Sequence, residues 1–213
     1  ATPQSADPNP DREEAAAAVS AGPLPDWART PPAPEPSPPR TLTPSKPAGA
    51  EPAPLSPLGA DQGRRFRRGT LIHRLLQHLP NVAPDKRAEA ARRWLSLAAA
   101  DIPEAIRAEY AAEALAVVQN PRFAHLFGPG SRAEAPVAGA VGGAVVAGQI
   151  DRLVVEPGRI AILDYKTHRP APALESDIPE IYLRQMALYR ALLARAFPGR
   201  VVTCALLWTE TPR

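Results

Sequence analysis

A single cysteine, Cys204, stands in the 213 residues, too few for an internal disulfide or for a multi-cysteine zinc or iron–sulfur site. It lies in Val201-Val202-Thr203-Cys204-Ala205-Leu206-Leu207, where a buried core thiol is expected rather than a nucleophile. No apolar run approaches the roughly 20 residues of a membrane-spanning helix. The chain lacks a Gly-x-x-x-x-Gly-Lys-Ser/Thr loop, which excludes a P-loop nucleotide site. Its N-terminus shows no basic-then-apolar signal pattern and does not begin with methionine. A cytoplasmic protein cut from a longer chain is the expectation. No internal repeat is visible.

Proline, by contrast, is abundant and unevenly spread. Of 28 prolines, 16 fall in the first 57 residues, in runs such as Pro31-Pro32-Ala33-Pro34-Glu35-Pro36. Proline removes a backbone donor and fixes φ, so these runs favour extended polyproline II over helix or sheet. The same stretch offers few large apolar side chains to offset the entropy of ordering it. Residues 1–60 therefore read as a mostly disordered linker, and residues 61–213 as one domain of ordinary size. Within the linker, residues 12–21 could form a short helix, and Leu24, Trp27 and Ala28 could dock on a larger body. An isolated helix of that length is marginal in water.

Charge follows the same division. The first 60 residues carry four basic against seven acidic side chains, so a chain of net charge +3 leaves +6 on the remainder. Much of that excess is the cluster Arg64, Arg65, Arg67, Arg68 and Arg74. A basic face suits a polyanion such as DNA, and an ordinary solvated face would look the same.

Leu71, Ile72, Leu75, Leu76 and Leu79 recur at helical spacing up to Pro80. A second helix is predicted from about Pro84 to Ala100, burying Ala91, Trp94, Leu95 and Ala98. A third starts with Pro103 at the favoured first position and runs to about Gln119. One further turn is expected over Pro121 to Phe127. The period then changes to short, β-branched, glycine-bounded segments: 133–139, 144–155 and 159–166. Glu156-Pro157-Gly158-Arg159 is a tight-turn signal that pairs the last two as a hairpin. A helix from about Pro179 to Ala196 and a final buried strand from Val201 to Thr209 complete the order. Helices, three strands, a helix and a strand predict an α/β sandwich around a mixed sheet.

On the second hairpin strand, alternation points Asp164 and Lys166 to one face and Tyr165 to the other. Pairing across the turn at 156–159 could bring Asp151, in Gly148-Gln149-Ile150-Asp151-Arg152-Leu153, alongside Asp164. Two carboxylates with few other ligands suit Mg²⁺ or Mn²⁺, hard ions that keep waters and accept phosphate oxygens. Such an ion polarises a phosphodiester and acidifies an attacking water, and a lysine beside it can orient that water or neutralise developing charge. A salt bridge between strand-end residues accounts for the same three side chains. Spacing alone leaves both readings open.

The surrounding residues carry a resemblance. Gly69-Thr70-Leu71-Ile72-His73-Arg74-Leu75-Leu76, then Gly148 to Leu153, Ile162-Leu163-Asp164-Tyr165-Lys166-Thr167, and Tyr182-Leu183-Arg184-Gln185-Met186-Ala187-Leu188-Tyr189 occur in that order. Together they resemble the RecB-type nuclease domain of the PD-(D/E)XK superfamily, and within it the C-terminal nuclease of AddA-type helicase–nucleases, over about residues 66–209. The resemblance implies a restriction-endonuclease-like core with a helical cap over 61–128 and a catalytic α/β core over 129–213. It implies that Asp151, Asp164 and Lys166 are catalytic. His73, Asp151, Asp164 and the backbone carbonyl of Tyr165 would ligate Mg²⁺, for which Mn²⁺ could substitute. Gln185 and Tyr189, four apart on a helix, would support the site or contact DNA, and Glu134 matches an acidic position on the first strand. His168, beside the motif, is expected to be solvent-exposed, and His78 and His125 have no motif support.

The implied activity is exonucleolytic cleavage of single-stranded DNA delivered by a helicase in double-strand-break repair and recombination. Its implied partners are DNA, an AddB-type subunit and a helicase portion of the same polypeptide, in the bacterial cytoplasm. AddB-type relatives hold an iron–sulfur cluster by cysteines, which Cys204 alone could not do. A catalytically idle DNA-binding or assembly module with the same fold, and a freestanding recombination nuclease, are the alternatives.

Overall fold

The stripe of Leu71, Ile72, Leu75, Leu76 and Leu79 is buried on one side of a long helix, and its opposite side carries charge, as the 3.6-residue period requires. The computed structural model describes residues 23, 25–29, 31, 41–44 and 60–212. The chain divides into two units, Ala1–Pro38 and Pro39–Arg213. In the first, a single helical turn, α1 (Asp26–Arg29), is described. The expected helix over 12–21 lies outside the described residues.

The second unit begins with β1 (Thr41–Leu42) and continues with α2 (Ala60–His78), which ends in a 3-10 turn at Leu79–Asn81. Pro80 lies inside that turn, where its missing N–H breaks no α-helical bond. Helices α3 (Arg87–Ala98) and α4 (Glu104–Val118) follow, then a 3-10 segment at Pro121–Phe127. Pro103 is the N-cap of α4, one position before the expected first turn. Ala99, just past α3, is buried where the periodicity assigned Ala98. The sheet is built from β2 (Ser131–Val141), β3 (Ala144–Val155), β4 (Arg159–Lys166) and β5 (Val201–Trp208), with α5 (Glu180–Ala196) between the last two.

The sheet is mixed. β3 pairs antiparallel with β2 over nearly its whole length. Its other edge is shared: β1 runs parallel at Val145 and Val146, and β4 runs antiparallel from Arg152 to Val155. β5 closes the far side, parallel to β4. Thr41–Leu42 belongs to the stretch that the composition assigns to the linker, so this stretch contributes a fifth strand. Among the described residues, 147–151 have no ladder partner on the shared edge, and this opening places the site.

Strand alternation divides the interior in two. Leu163 and Tyr165 join Val154 and Leu207 under the cap helices α2, α3 and α4. Ile160 and Ile162 face the other way, against Met186, Tyr189 and Leu193 of α5. Asp164 and Lys166 therefore emerge on the α5 side. One expectation fails on β5: Cys204 is exposed, because β5 is an edge strand on which only Val202, Leu207 and Trp208 are buried.

Candidate metal centre and catalytic face

The hairpin ladder ends at the rung Arg152↔Leu163. The next facing residues are Asp151 and Asp164, where the strands part. A backbone N–H freed by that parting needs an acceptor. Tyr165 N–H donates to Asp151 Oδ2 at 2.7 Å, so the carboxylate replaces the missing rung and is held at the mouth of the opening.

On the other edge of β3 the ladder skips one pair, Glu134 opposite Asp151. Glu134 has φ of 50°, the left-handed region that a residue with a Cβ adopts only under constraint. Such a conformation costs about 1–3 kcal/mol and persists where surrounding structure enforces it, often at working sites. Here the kink is tied down by Gln149 Nε2, which donates to the Glu134 carbonyl at 3.2 Å. It delivers the Glu134 carboxylate to Asp151. From α2, His73 completes the group: its Nδ1 lies 3.6 Å from Asp151 Oδ1, and its ring meets that of Tyr165 edge-on at 5.9 Å. Donor atoms of His73, Glu134 and Asp151 all lie within 4.8 Å of one another.

Asp164 sits deeper. Its Oδ1 accepts from Gln185 Nε2 at 2.7 Å. Its Oδ2 lies 2.7 Å from Lys166 Nζ, in a largely buried ion pair. Gln185 bridges the pair, since its Oε1 accepts from Lys166 Nζ at 3.2 Å. The same ammonium rests 3.8 Å from the ring centroid of Tyr182. Tyr189 is fully buried, and its hydroxyl donates to the Gln149 carbonyl at 2.9 Å. It holds β3 from beneath and has no surface left for DNA.

Electrostatics agree with the crowding. Burial pushes the Asp164 carboxyl up, and the charge of Asp151 adds to this; Lys166 opposes it. Glu134 is raised for the same two reasons, burial first and Asp151 second. Burial disfavours the charged form of His73, but the neighbouring carboxylates of Asp151, Asp164 and Glu134 outweigh it and raise the imidazole. Three acidic groups and one imidazole held this close to the single Lys166 ammonium favour a further cation. The Asp164 carboxylate and the three convergent donors beside it fit a hard divalent ion that prefers oxygen and imidazole ligands.

These side chains line a pocket of about 330 Å³ that also takes in Pro44, Tyr165, Ile181 and Tyr182. A second cleft of about 400 Å³ shares His73, Glu134 and Asp151 and continues past Arg74 and Phe66. Of the site residues singled out on sequence, Asp151, Asp164, Lys166, His73, Glu134, Tyr165 and Gln185 line the first pocket, and Tyr189 is buried beneath β3, bonded to Gln149. His168 is exposed, as expected, and its Nε2 accepts from Trp208 Nε1 at 3.0 Å. His78 and His125 are also exposed.

Sequence reasoning missed two charged residues that brace the site. Arg152 is buried, donating to the Leu76 carbonyl at 2.8 Å, Ser131 Oγ at 2.9 Å and the Tyr165 hydroxyl at 3.2 Å. It ties the His73 helix to the strand that carries Asp151. Glu113 is buried beneath Arg68, at 2.7 Å from Nη2 to Oε1, and also accepts from Arg169 and Thr209. A charge inside an apolar strand or helix stripe was the available signal for both. The basic cluster is partly spent in this bracing: Arg67 pairs with Asp101, and Arg68 with Glu113 and the Thr167 carbonyl.

The model of the PD-(D/E)XK nuclease superfamily matches residues 49–210, about three quarters of the chain, and the chain belongs to that superfamily. No curated protein matches the chain.

Proposed function

We propose that the chain is a divalent-metal-dependent deoxyribonuclease that hydrolyses phosphodiester bonds of single-stranded DNA as an exonuclease. The observation that carries this reading is the convergence of His73, Glu134 and Asp151 donor atoms beside the buried Asp164–Lys166 pair. Membership of the superfamily supports a nuclease function. Asp151, Asp164, Glu134, His73 and the Tyr165 carbonyl would hold the ion, Mg²⁺ or Mn²⁺. When bound, that ion supplies charge to the phosphodiester and acidity to the attacking water.

The remaining work falls to the chain's own residues. Gln185 and Tyr182 hold the Lys166 ammonium over the carboxylates, preorganised to orient the incoming water or to meet charge developing on the phosphate. Gln185 also fixes the rotation of the Asp164 carboxylate, whose Oδ2 lies against Lys166 Nζ. The Tyr165 N–H does the same for Asp151. Tyr189 and Arg152 keep β3 and α2 in register with this face.

A 5′-labelled single-stranded oligonucleotide with Mg²⁺ or Mn²⁺ tests the activity. Asp164→Asn should abolish cleavage and leave the fold intact, since it removes the ligand charge while keeping the side-chain volume and an oxygen for Gln185 and Lys166. An intact substrate under both metals, with folded protein, overturns the reading, and the catalytically idle module then replaces it.

On the broader setting, we infer an AddA-type nuclease end of a bacterial, cytoplasmic helicase–nuclease. The order of the motifs from His73 through Asp151, Asp164 and Lys166 to Gln185 and Tyr189 supports it, as does the proline-rich stretch that would tether a helicase portion. Among the described residues, no helix is long and apolar enough to cross a membrane. Co-expression with an AddB-type subunit checks the assignment: a stable complex is expected, and separate elution of the two proteins would refute it.

A further inference from the structure

Phe66 is 80% exposed, whereas Phe123 is buried and Phe127 and Phe197 are half-buried. A phenyl ring left in water has forgone burial that the other three obtain. It also stands at a particular place, in the same cleft as His73, Glu134 and Asp151. Residues 66, 70, 73 and 74 share one side of α2, which lines up the exposed ring, the metal-group imidazole and the Arg74 guanidinium. From Phe66 to His73 is about 10 Å along the helix axis.

Arg74 differs from its basic neighbours. Arg67 and Arg68 are held in ion pairs with Asp101 and Glu113. Arg74 is exposed, donates to the neutral Gln77 at 2.9 Å, and lines the same cleft as Glu134. Between the two, Gly69 lets α2 pass close to the chain after β4: a Cβ there would lie 2.9 Å from Thr167 Oγ1. The cleft thus combines an apolar aromatic face, a cation and the carboxylate–imidazole floor.

We propose that Phe66 is a stacking platform for an unpaired base of the substrate strand, with Arg74 on the adjoining phosphate, so that this cleft selects single-stranded over duplex DNA. The inference rests on the nuclease reading and names what sets its substrate. Stacking on an aromatic ring needs an exposed base face, which a duplex hides between neighbouring pairs. An aliphatic side chain or a lysine at position 66 would supply area or charge without the ring face.

Full-length protein and fluorescein-labelled (dT)12 test it, by anisotropy without metal and by cleavage with Mn²⁺. Phe66→Ala should weaken (dT)12 binding by roughly tenfold or more. Phe66→Trp should bind as the parent does, and Phe66→Leu should resemble Phe66→Ala. A blunt 12-base-pair duplex should bind equally to all four. The exposed Leu97 on α3 serves as control, since Leu97→Ala should change neither binding nor cleavage. Unchanged (dT)12 binding by Phe66→Ala, full rescue by leucine, or an equal loss on duplex overturns the stacking role while wild-type cleavage still stands. A wild type that neither binds nor cuts (dT)12 removes the nuclease reading and this inference together.

Discussion

Adding one methyl group to Gly148 should destabilise the whole domain. An alanine Cβ at this position would lie 2.6 Å from the Tyr189 hydroxyl, 3.0 Å from Tyr189 Cε1 and 3.2 Å from Pro44 Cδ. The first distance is far inside van der Waals contact, and the phenol cannot swing away freely because Tyr189 is fully buried. Relief requires breaking the hydrogen bond from Tyr189 Oη to the Gln149 carbonyl. Leaving the buried phenol hydroxyl unpaired costs about 1–3 kcal/mol. Overpacking adds a further 1–3 kcal/mol or so. The expected loss is about 2–6 kcal/mol, or roughly 4–24 °C in Tm for a domain of this size. A double-mutant cycle isolates the cause. Tyr189→Phe removes the hydroxyl at about 1 kcal/mol and leaves Cε1 as the nearest ring atom. Gly148→Ala should then cost at least about 1 kcal/mol less in the phenylalanine background than in the parent. Urea denaturation of the four proteins measures this. An unchanged Tm in Gly148→Ala, or penalties that add to within about 0.5 kcal/mol, would refute the steric argument.

Two further outcomes follow from the bracing and the metal group. Glu113→Ala should cost about 3–5 kcal/mol in urea denaturation, because it leaves the largely buried Arg68 facing no anion; Arg169, half-exposed, adds little. A loss under 1 kcal/mol would show that the ion pair is not a structural support. His73 must be neutral to ligate, and its pKa is raised despite burial by the carboxylates of Asp151, Asp164 and Glu134. Protons therefore compete with Mn²⁺ at and above the ordinary imidazole value of about 6.5, and affinity should rise with pH through that range. In His73→Gln, calorimetry should find weaker binding that displaces about one proton fewer. Equal proton release by both proteins would exclude His73 as a ligand.

Much of this molecule is written locally. The leucine stripe of α2, the turn at 156–159 and the four-residue spacing of Gln185 and Tyr189 depend only on neighbours along the chain, and each was legible. Alternation alone put Asp164 and Lys166 on one face, and the hairpin put Asp151 at the next rung. What the sequence could not determine depends on pairing between distant segments. The left-handed kink at Glu134 exists because the ladder skips it opposite Asp151, and no local signal marks a strand residue for positive φ. Thr41–Leu42 is a strand only because β3 offers it an edge, and proline-rich neighbours conceal that. Cys204 is exposed on a strand that, among the described residues, pairs only with β4, whereas its apolar surroundings suggested burial on both sides. The arginines before Gly69 looked free until Asp101 and Glu113, some 34 and 45 residues away, folded onto two of them. Periodicity and turn chemistry act over a few residues and so are encoded in order. Register, edge position and charge pairing are decided only when distant segments meet, and they decided which carboxylates share the site.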